Sequence, residues 1–201
     1  MQMEDPYGIK VPESRFSNSR VFSGRYHLLQ HSKQFLPSTP TACEIGVAEG
    51  YFSQIILDSL VPSKLILLDT YTHSSIYGIY TPQTHLSYVE NKFSNVPHVL
   101  VKKGLSWDSL NLLEPDSLDF IYVDGDHSYD SLKKDIAASY RVLKSGGVIQ
   151  FNDYTTFSPV EQRKYGVLHA VNEFLEAHDA DVLGYSLDKN GYSDIAVRVR
   201  K

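Results

Sequence analysis

TACEIGVAEGYFSQIILDSLVPSKLILLD, residues 41–69, is the stretch that decides the fold of this chain. Thr41 to Ile45 predicts a strand, and Lys64 to Leu68 is a mostly apolar run without alternation, which is typical of a strand buried on both faces of a parallel sheet. Between them, a turn from Gly46 to Gly50 leads into the helical spacing of Tyr51 to Leu60. The stretch therefore predicts one strand–turn–helix–strand unit of an α/β fold.

The same alternation of strands and helices continues to the end of the chain. Further strands are predicted at 98–101, 118–123, 148–151, 181–187 and 194–199, and helices at 25–36, 83–94, 129–143 and 167–178. The short turn from Asp188 to Gly191 joins the last two strands, so these two strands run antiparallel. We therefore expect an α/β three-layer sandwich with a mostly parallel seven-stranded sheet and one antiparallel strand near the edge.

Composition narrows the class of protein. The 201 residues are 42% hydrophobic and 21% charged, which excludes a disordered chain, a collagen-like fibre and a disulfide scaffold. The net charge is −5 without a basic stripe, so we expect no nucleic-acid partner. The apolar runs are too short to span a bilayer and no secretory signal precedes them, so we expect no membrane partner. The single cysteine, Cys43, favours a reducing, cytoplasmic location.

The chain divides into two predicted parts. Residues 1–40 form an N-terminal arm and a helix packed on the core, and residues 41–201 form the main domain. A content of 14 tyrosines, many of them in polar loops, is consistent with a surface for a ligand or for a second copy of the chain in a homodimer.

The turn after the first strand of the domain points to a ligand. In parallel sheets, ligands bind beyond the carboxyl ends of the strands. Glu44 stands where a dinucleotide fingerprint would have its first glycine, and its charge repels a pyrophosphate but favours a cation. Asp69 lies 23 positions after Gly46, near the spacing of an acidic residue that binds ribose hydroxyls. Together they predict an adenosine-containing ligand with a positive charge near Glu44, although a plain turn and a helix cap also explain these residues.

A second acidic group follows the fourth and fifth strands. Asp124 and Asp153 are 29 residues apart, about the length of one βαβ unit, so neighbouring strands would bring both into one crevice. Asn152 and Asp126 lie beside them in sequence. Carboxylate and amide oxygens suit Mg²⁺. The alternative is that Asp124 and Asp153 bind backbone N–H groups where their loops begin.

From Cys43 to Lys201 the sequence resembles class I S-adenosylmethionine-dependent methyltransferases, which have a Rossmann-like fold. It is most similar to the small O-methyltransferase family that includes macrolide and aminocoumarin sugar O-methyltransferases. The matching motifs are Glu44-Ile-Gly46-x-x-x-Gly50, Leu68-Asp69, Val123-Asp-Gly-Asp-His-Ser-Tyr129, Leu143-Lys-Ser-Gly-Gly147, Asn152-Asp-Tyr154 and Gly166-Val-x-x-Ala-Val-x-Glu-Phe174.

The resemblance implies roles for particular residues. Those implied to bind S-adenosylmethionine are Glu44, Gly46 and Gly50 at its methionine end, Asp69 at its ribose, Ser106 near its adenine, and Asp124. Those implied to bind the metal are Asp124, Asn152 and Asp153, although Asn152 stands where relatives often carry an acidic residue or a histidine. His127 and Asp126 compete for the role of catalytic base, and His127 is favoured because its pKa lies near neutrality.

We therefore expect an enzyme that methylates a hydroxyl of a small-molecule acceptor, either a sugar or a phenol, from S-adenosylmethionine with the assistance of Mg²⁺. One alternative is a methyltransferase without a metal that uses His127 or Asp126 alone. A second is a non-catalytic protein that binds S-adenosylmethionine. A nicotinamide dehydrogenase is disfavoured by Glu44 and the missing glycine.

Overall fold

The computed structural model describes residues 11–188 and 191–201. Their helices are α1 (Arg25–Ser32), α2 (Tyr51–Leu60), α3 (His85–Phe93), α4 (Ser106–Asn111), α5 (Tyr129–Val142) and α6 (Val167–Ala177). Their strands are β1 (Arg20–Phe22), β2 (Thr41–Ile45), β3 (Lys64–Asp69), β4 (Val99–Lys103), β5 (Leu118–Val123), β6 (Leu143–Phe151), β7 (Phe157–Ser158), β8 (Arg163–Lys164), β9 (Ala180–Leu187) and β10 (Ser193–Val199). Among the described residues, no helix combines the length and apolar character needed to cross a membrane.

Eight strands form one sheet in the order β1-β9-β10-β6-β5-β2-β3-β4. Neighbouring strands are parallel except at β10, which runs antiparallel to both β6 and β9. β7 and β8 form a separate antiparallel pair. The predicted fold class, a mostly parallel sheet with one antiparallel strand near the edge, is confirmed.

The sheet has one more strand than the seven predicted. The additional strand is β1, which lies in the segment predicted to be an irregular arm and pairs in parallel with β9, Arg20 lying opposite Gly184. A Cβ atom at Gly184 would lie 2.4 Å from the Arg20 carbonyl oxygen, so the close pairing depends on this glycine. A three-residue strand in a polar segment is too short to show the alternation by which strands are recognised in sequence.

Helices cover both faces of the sheet, as the three-layer prediction requires. One core cluster contains Leu110, Ile136 and Phe174, which belong to α4, α5 and α6. The other contains Leu28, Ile56 and Phe93, which belong to α1, α2 and α3. Both faces of the central strands are therefore buried, which explains their continuous apolar runs.

The N-terminal helix α1 is part of this packing. It contacts β9 and β10, and both Leu28 and Leu29 are fully buried. Residues 1–10 lie outside the described residues, and so do residues 189 and 190 of the predicted turn between the last two strands. The division into an arm at 1–40 and a domain at 41–201 stays a prediction.

The order of the strands creates one place where the chain reverses direction across the sheet. From β2 the chain proceeds to β3 and β4 on one side, and then crosses to β5 on the other side of β2. The loops after β2 and β5 consequently diverge at the carboxyl edge of the sheet. Such a switch point leaves a crevice in which α/β proteins bind ligands.

Candidate functional site

A cavity of about 750 Å³ opens at this switch point. Of the residues predicted to form a site, those that line the cavity are Glu44, Gly46, Asp69, Ser106, Asp124, Asp126 and His127. Gly50, Asn152 and Asp153 are not among the residues that line it. The structure thus brings the predicted residues to one edge of one sheet, while their individual roles stay predictions.

Gly46 lies where the loop after β2 and the loop after β5 come into close contact. Its φ angle is +81°, and a Cβ atom there would lie 1.9 Å from the carbonyl oxygen of Asp124. The backbone N–H of Asp124 also donates a hydrogen bond to the Ile45 carbonyl at 2.7 Å. The glycine expected to let a ligand approach is therefore required by the close approach of the β5 loop. Gly50, with a φ of +66°, has a different neighbour, because a Cβ atom there would lie 2.8 Å from the ring of Phe93.

Glu44 is a buried carboxyl group in the cavity wall. Its exposed fraction is 1%, and it accepts a hydrogen bond from the Ser53 hydroxyl on α2. Burial raises the pKa of Glu44 to about 8, although the hydrogen bond from Ser53 opposes the rise. The side chain is therefore mostly protonated at neutral pH, and a positive charge placed beside it would favour the carboxylate.

Asp69 organises the loop that follows β2. Its Oδ2 accepts hydrogen bonds from the backbone N–H groups of Val47 at 2.8 Å and Ala48 at 3.3 Å, and its Oδ1 accepts one from Tyr71 at 2.8 Å. A carboxylate has about four lone-pair sites, so these bonds leave little free capacity. A ligand hydroxyl would share Asp69 with the loop that Asp69 already holds in place.

His127 lies between the predicted acidic residues. Its Nε2 is 3.3 Å from Asn152 Oδ1, 3.5 Å from Asp124 Oδ1 and 3.8 Å from Asp153 Oδ2. Its ring stacks on Tyr165, with 4.4 Å between ring centroids and an interplanar angle of 6°. The three positions predicted to bind a metal therefore converge on an imidazole.

The hydrogen bonds around Asn152 determine which nitrogen of His127 carries the proton. Asn152 Nδ2 donates to Asp194 Oδ1 at 3.1 Å, so the amide oxygen of Asn152 faces His127. An oxygen can only accept, so His127 Nε2 carries the hydrogen in the neutral ring and Nδ1 carries the lone pair. Asp194 is a fully buried residue of β10 that sequence analysis missed. It orients the amide of Asn152 and, through that amide, the imidazole of His127.

The predicted magnesium site at Asp124, Asn152 and Asp153 is not supported by this arrangement. The oxygens expected to bind a cation surround the Nε2–H of His127, and the amide of Asn152 is held by Asp194. Within residues 11–188 and 191–201, no group of three or more His, Cys, Asp or Glu side chains is arranged to hold a metal ion. We therefore derive no step that passes through a metal.

Burial dominates the protonation of this cluster. It lowers the pKa of His127, which keeps the imidazole neutral, although the hydrogen bond to Asn152 opposes the change. Burial also raises the pKa of Asp124 well above its usual range, against the opposing charge of Arg25, and raises the pKa of Asp153 to about 7. A proton accepted by His127 would favour ionisation of both carboxyl groups, and these would in turn stabilise the imidazolium.

Asp126, the rival candidate for the base, has a different environment. It is half exposed, and it accepts hydrogen bonds from the Ser128 hydroxyl at 2.7 Å and the Ser128 backbone N–H at 3.2 Å. Burial alone would raise the pKa of Asp126, but these hydrogen bonds outweigh it and the pKa is lowered. Asp126 is thus a weak proton acceptor that holds the start of α5 in place.

Arg25 is a cavity residue that sequence analysis missed. From α1 it reaches across the sheet edge, where its Nη1 donates to the Tyr122 hydroxyl at 3.1 Å and lies 3.7 Å from Asp124 Oδ2. Its guanidinium lies 5.2 Å from the centroid of the Phe52 ring. Nothing in the weak pattern of α1 distinguishes this arginine from a surface residue, because its partners are far away in sequence.

Ser106 begins α4, a helix where the sequence indicated only a turn after the third strand. Its hydroxyl donates to Asp135 on α5, and Trp107 follows it on the cavity wall. α4 is six residues long, which is short for recognition by periodicity.

Comparison with protein-family models gives one family over more than half of the chain. The model described as a methyltransferase domain matches residues 43–154. Among individual proteins, an uncharacterised protein of Acanthamoeba polyphaga mimivirus is 28% identical over 175 residues, which cover 82% of this chain and 72% of that protein.

Solved structures share the fold at low sequence identity. An O-methyltransferase from Bacillus cereus, in complex with S-adenosylhomocysteine, is 19% identical with a TM-score of 0.58, over 87% of this chain and 78% of that chain. The precorrin-6y C5,15-methyltransferase of Geobacter metallireducens is also 19% identical, with a TM-score of 0.59, over 87% of each chain. At this identity the likeness shows the fold alone. The two proteins are named for different methylation sites, so the shared fold does not decide the acceptor atom.

Proposed function

This chain belongs to the methyltransferase-domain family whose model spans residues 43–154, and we propose that it transfers a methyl group from S-adenosylmethionine to a hydroxyl group of a small molecule such as a sugar or a phenol. When bound, S-adenosylmethionine supplies a methyl group already activated by its sulfonium. The protein then has two tasks, which are to hold the sulfonium nucleoside and to remove the hydroxyl proton.

Residues after β2 and β3 support the first task. Glu44 is buried in the cavity wall and gains a charge partner when a cation lies beside it. Asp69 holds the loop after β2 and lines the cavity, so a ribose hydroxyl would share its carboxylate oxygens with that loop. A sulfonium and an ammonium are both cationic, which suits Glu44 better than a diphosphate would.

The observation that carries the proposal is the environment of His127. The imidazole is buried, neutral and oriented by Asn152, and it lines the same cavity as Glu44 and Asp69. If S-adenosylmethionine is bound, it would supply the methyl group and leave as S-adenosylhomocysteine, while His127 would accept the hydroxyl proton of the acceptor at Nδ1. Asp124 and Asp153 then face an imidazolium at 3.5 and 3.8 Å. Transfer to oxygen needs such a base because a protonated hydroxyl is a poor nucleophile.

The proposal contains no metal step. Arg25 lies on one side of Asp124 and the neutral ring of His127 on the other, where a magnesium ion would need to bind. This choice corresponds to the metal-independent alternative reached from sequence.

The acceptor is proposed to bind on the side of His127 that the segment joining β7 and β8 approaches. Glu161 from this segment and Arg163 at the start of β8 line the cavity, and Arg163 Nη1 lies 3.8 Å from Asp126 Oδ1. His73, from the tyrosine-rich loop at 70–82 that was expected to cover the acceptor, lines the cavity as well. These polar side chains suit an acceptor with several hydroxyl groups.

The test is methyl transfer from S-adenosylmethionine carrying a labelled methyl group to a panel of sugars, alcohols and phenols. We expect label in an ether product together with one equivalent of S-adenosylhomocysteine. Tight binding of S-adenosylhomocysteine with no transfer to any acceptor would favour the non-catalytic alternative. Label on carbon or nitrogen would contradict the choice of a hydroxyl acceptor.

A further inference from the structure

Tyr122 is a fully buried residue of β5, and the proposed reaction does not use its hydroxyl group. The hydroxyl lies between two charged side chains from distant parts of the chain. Arg25 Nη1 donates a hydrogen bond to the hydroxyl oxygen at 3.1 Å, and the hydroxyl donates one to Asp194 Oδ2 at 3.2 Å. Because a hydroxyl can accept and donate at once, Tyr122 joins Arg25 on the cavity wall to the buried Asp194 of β10.

Asp194 accepts hydrogen bonds on both of its carboxylate oxygens. Its Oδ2 accepts from Tyr122 and from Gln150 Nε2 at 3.1 Å, whereas its Oδ1 accepts from Asn152 Nδ2 at 3.1 Å. The donors to Oδ2 fix the rotation of the carboxylate, and this rotation places Oδ1 beside Asn152. The side chain is fully buried, so a carboxylate that lost one donor would turn toward the donors that remain.

Five side chains therefore form one series of hydrogen bonds, which are Arg25, Tyr122, Asp194, Asn152 and His127. The donors point toward Asp194 from both ends of the series, and hydrogen bonds that follow one another in the same sense polarise and strengthen one another. Arg25 and Asp194 lie outside the region that the methyltransferase model matches. The series therefore depends on segments of this chain that flank the matched region.

We infer that Tyr122 is a positioning residue, whose hydroxyl holds Asp194 so that the amide oxygen of Asn152 faces His127. The inference rests on the proposed function, because it concerns the residue proposed as the base. With the amide in this orientation, Nε2 of His127 carries the hydrogen and Nδ1 is free to accept the proton of the acceptor. Without the Tyr122 hydroxyl, the Asp194 carboxylate can turn and the amide can reverse. A reversed amide would present its N–H to Nε2 and leave the ring hydrogen on Nδ1, where it blocks proton transfer.

Nuclear magnetic resonance of the full-length protein at pH 8, above the ordinary pKa of an imidazole, tests the inference without requiring activity. Long-range proton–nitrogen correlation spectra show which ring nitrogen of a neutral histidine carries the hydrogen. The signals of His127 are identified by their absence from the spectrum of His127→Gln. We expect the wild-type ring to carry its hydrogen on Nε2, and we expect Tyr122→Phe to shift part of the population to Nδ1.

Steady-state kinetics distinguishes positioning of the base from a general loss of packing. For Tyr122→Phe we expect kcat to fall about 10-fold while the Kd for S-adenosylhomocysteine stays within about threefold, because a misoriented base slows proton transfer without weakening binding. In the His127→Gln background, the same replacement should lower kcat by no more than about twofold further, since it acts through the residue already removed. A purely structural role would give additive losses of kcat instead, and additive losses overturn the inference.

The matched control is Tyr154→Phe, which removes a tyrosine hydroxyl that donates to Asn172 on α6, outside the series. We expect this variant to keep the wild-type tautomer of His127 and the wild-type kcat. A wild-type ring with its hydrogen on Nδ1 overturns the inference even if Tyr122→Phe does not fold, and so does an unchanged tautomer in a folded Tyr122→Phe protein. If the tautomer responds to Tyr122→Phe but the wild type methylates no acceptor, the proposed function fails and the positioning role stands, which distinguishes the two failures.

Discussion

In the cavity wall formed by the loops after β2 and β3, hydrogen bonds join residues close in sequence, whereas in the wall after β5 and β6 they join distant ones. In the first, the β2–β3 wall (residues 44–71), Ser53 and Glu44 are nine positions apart and Val47 and Asp69 are 22 apart. In the second, the β5–β6 wall (Asp124, His127, Asn152 and Asp153, with Arg25), the supporting bond from Arg25 to Tyr122 spans 97 positions and that from Tyr122 to Asp194 spans 72.

The two walls also differ in which groups their hydrogen bonds hold in place. Backbone N–H groups are the donors to Asp69, so the β2–β3 wall sets the path of the chain. Side chains hold one another in the β5–β6 wall, where the orientation of Asn152 and the position of His127 depend on buried charges. We therefore expect damage to the first wall to affect folding and cofactor binding, and damage to the second to affect turnover.

The largest expected effect comes from breaking the contact between the two walls with Gly46→Ala. The new Cβ atom would lie 1.9 Å from the Asp124 carbonyl oxygen, so the loops must separate. We expect a loss of about 3 kcal/mol or more in the free energy of unfolding, measured with urea. The matched control is Gly78→Ala, which also has a positive φ, +69°, but no atom within 4 Å of the new Cβ, and should cost about 1 kcal/mol. Equal losses in the two variants would show that the clash is unimportant.

The second-largest effect is expected from a variant that lowers turnover without changing the affinity for S-adenosylhomocysteine. His127→Gln removes the proposed base from the β5–β6 wall, so the turnover of methyl transfer should fall about 10²- to 10⁴-fold. The Kd for S-adenosylhomocysteine should change by less than about threefold, because the β2–β3 wall is intact. Steady-state kinetics and calorimetry on the same preparation measure the two quantities.

Asp69→Asn is the counterpart of that variant. An amide offers fewer acceptor sites for the backbone N–H groups of Val47, Ala48 and Tyr71, so cofactor affinity should weaken more than turnover at saturation. A His127→Gln protein that keeps its turnover would disprove the role of His127 as the base.

A third prediction concerns the dependence of stability on pH in the β2–β3 wall. The pKa of Glu44 rises from 4.5 to about 8 on folding, so between these values the folded protein keeps a proton that the unfolded chain loses. Stability therefore falls as pH rises through this window, by at most about 1.4 kcal/mol per pH unit for this group. Glu44→Gln cannot ionise, so its free energy of unfolding should fall less steeply between pH 5 and 8 than that of the wild type. Parallel curves for the two proteins would contradict the buried, protonated state of Glu44.

The smallest expected effect is that of metal removal. Because the proposed reaction uses His127 as its base and Arg25 already lies beside Asp124, turnover in EDTA should stay within about twofold of the untreated enzyme. Added Mg²⁺ should not raise it. A loss of activity in EDTA that Mg²⁺ restores would contradict the metal-independent proposal. It would support the metal-assisted reaction that was first expected from the sequence.

The same contrast explains which parts of the site were predictable. The strand–turn–helix–strand unit placed Glu44, Gly46 and Asp69 correctly at one edge of the sheet, because their relation depends on short-range periodicity and turns. Asp124 was predicted at the same edge because parallel strands end together. The local pattern also identified His127 as a candidate, although its role remains a proposal.

Other features had no local signal. Arg25 lies in a helix with a weak pattern, Asp194 lies in the antiparallel strand, and their contacts with Tyr122 and Asn152 appear only when β10 inserts beside β6. The predicted magnesium site lacks support in the structure for this reason. The sequence places two carboxyl groups near an amide, but it does not reveal that an imidazole lies between them.

Sequence alone determined the class of fold and the edge of the sheet where the cavity lies, since the order of apolar runs, turns and helices is a property of neighbouring residues. Only the tertiary structure decided the charge balance of the cavity and the orientation of Asn152. These depend on side chains brought together from distant segments in a buried environment, where burial is the main influence on which groups are protonated and neighbouring hydrogen bonds and charges modify it.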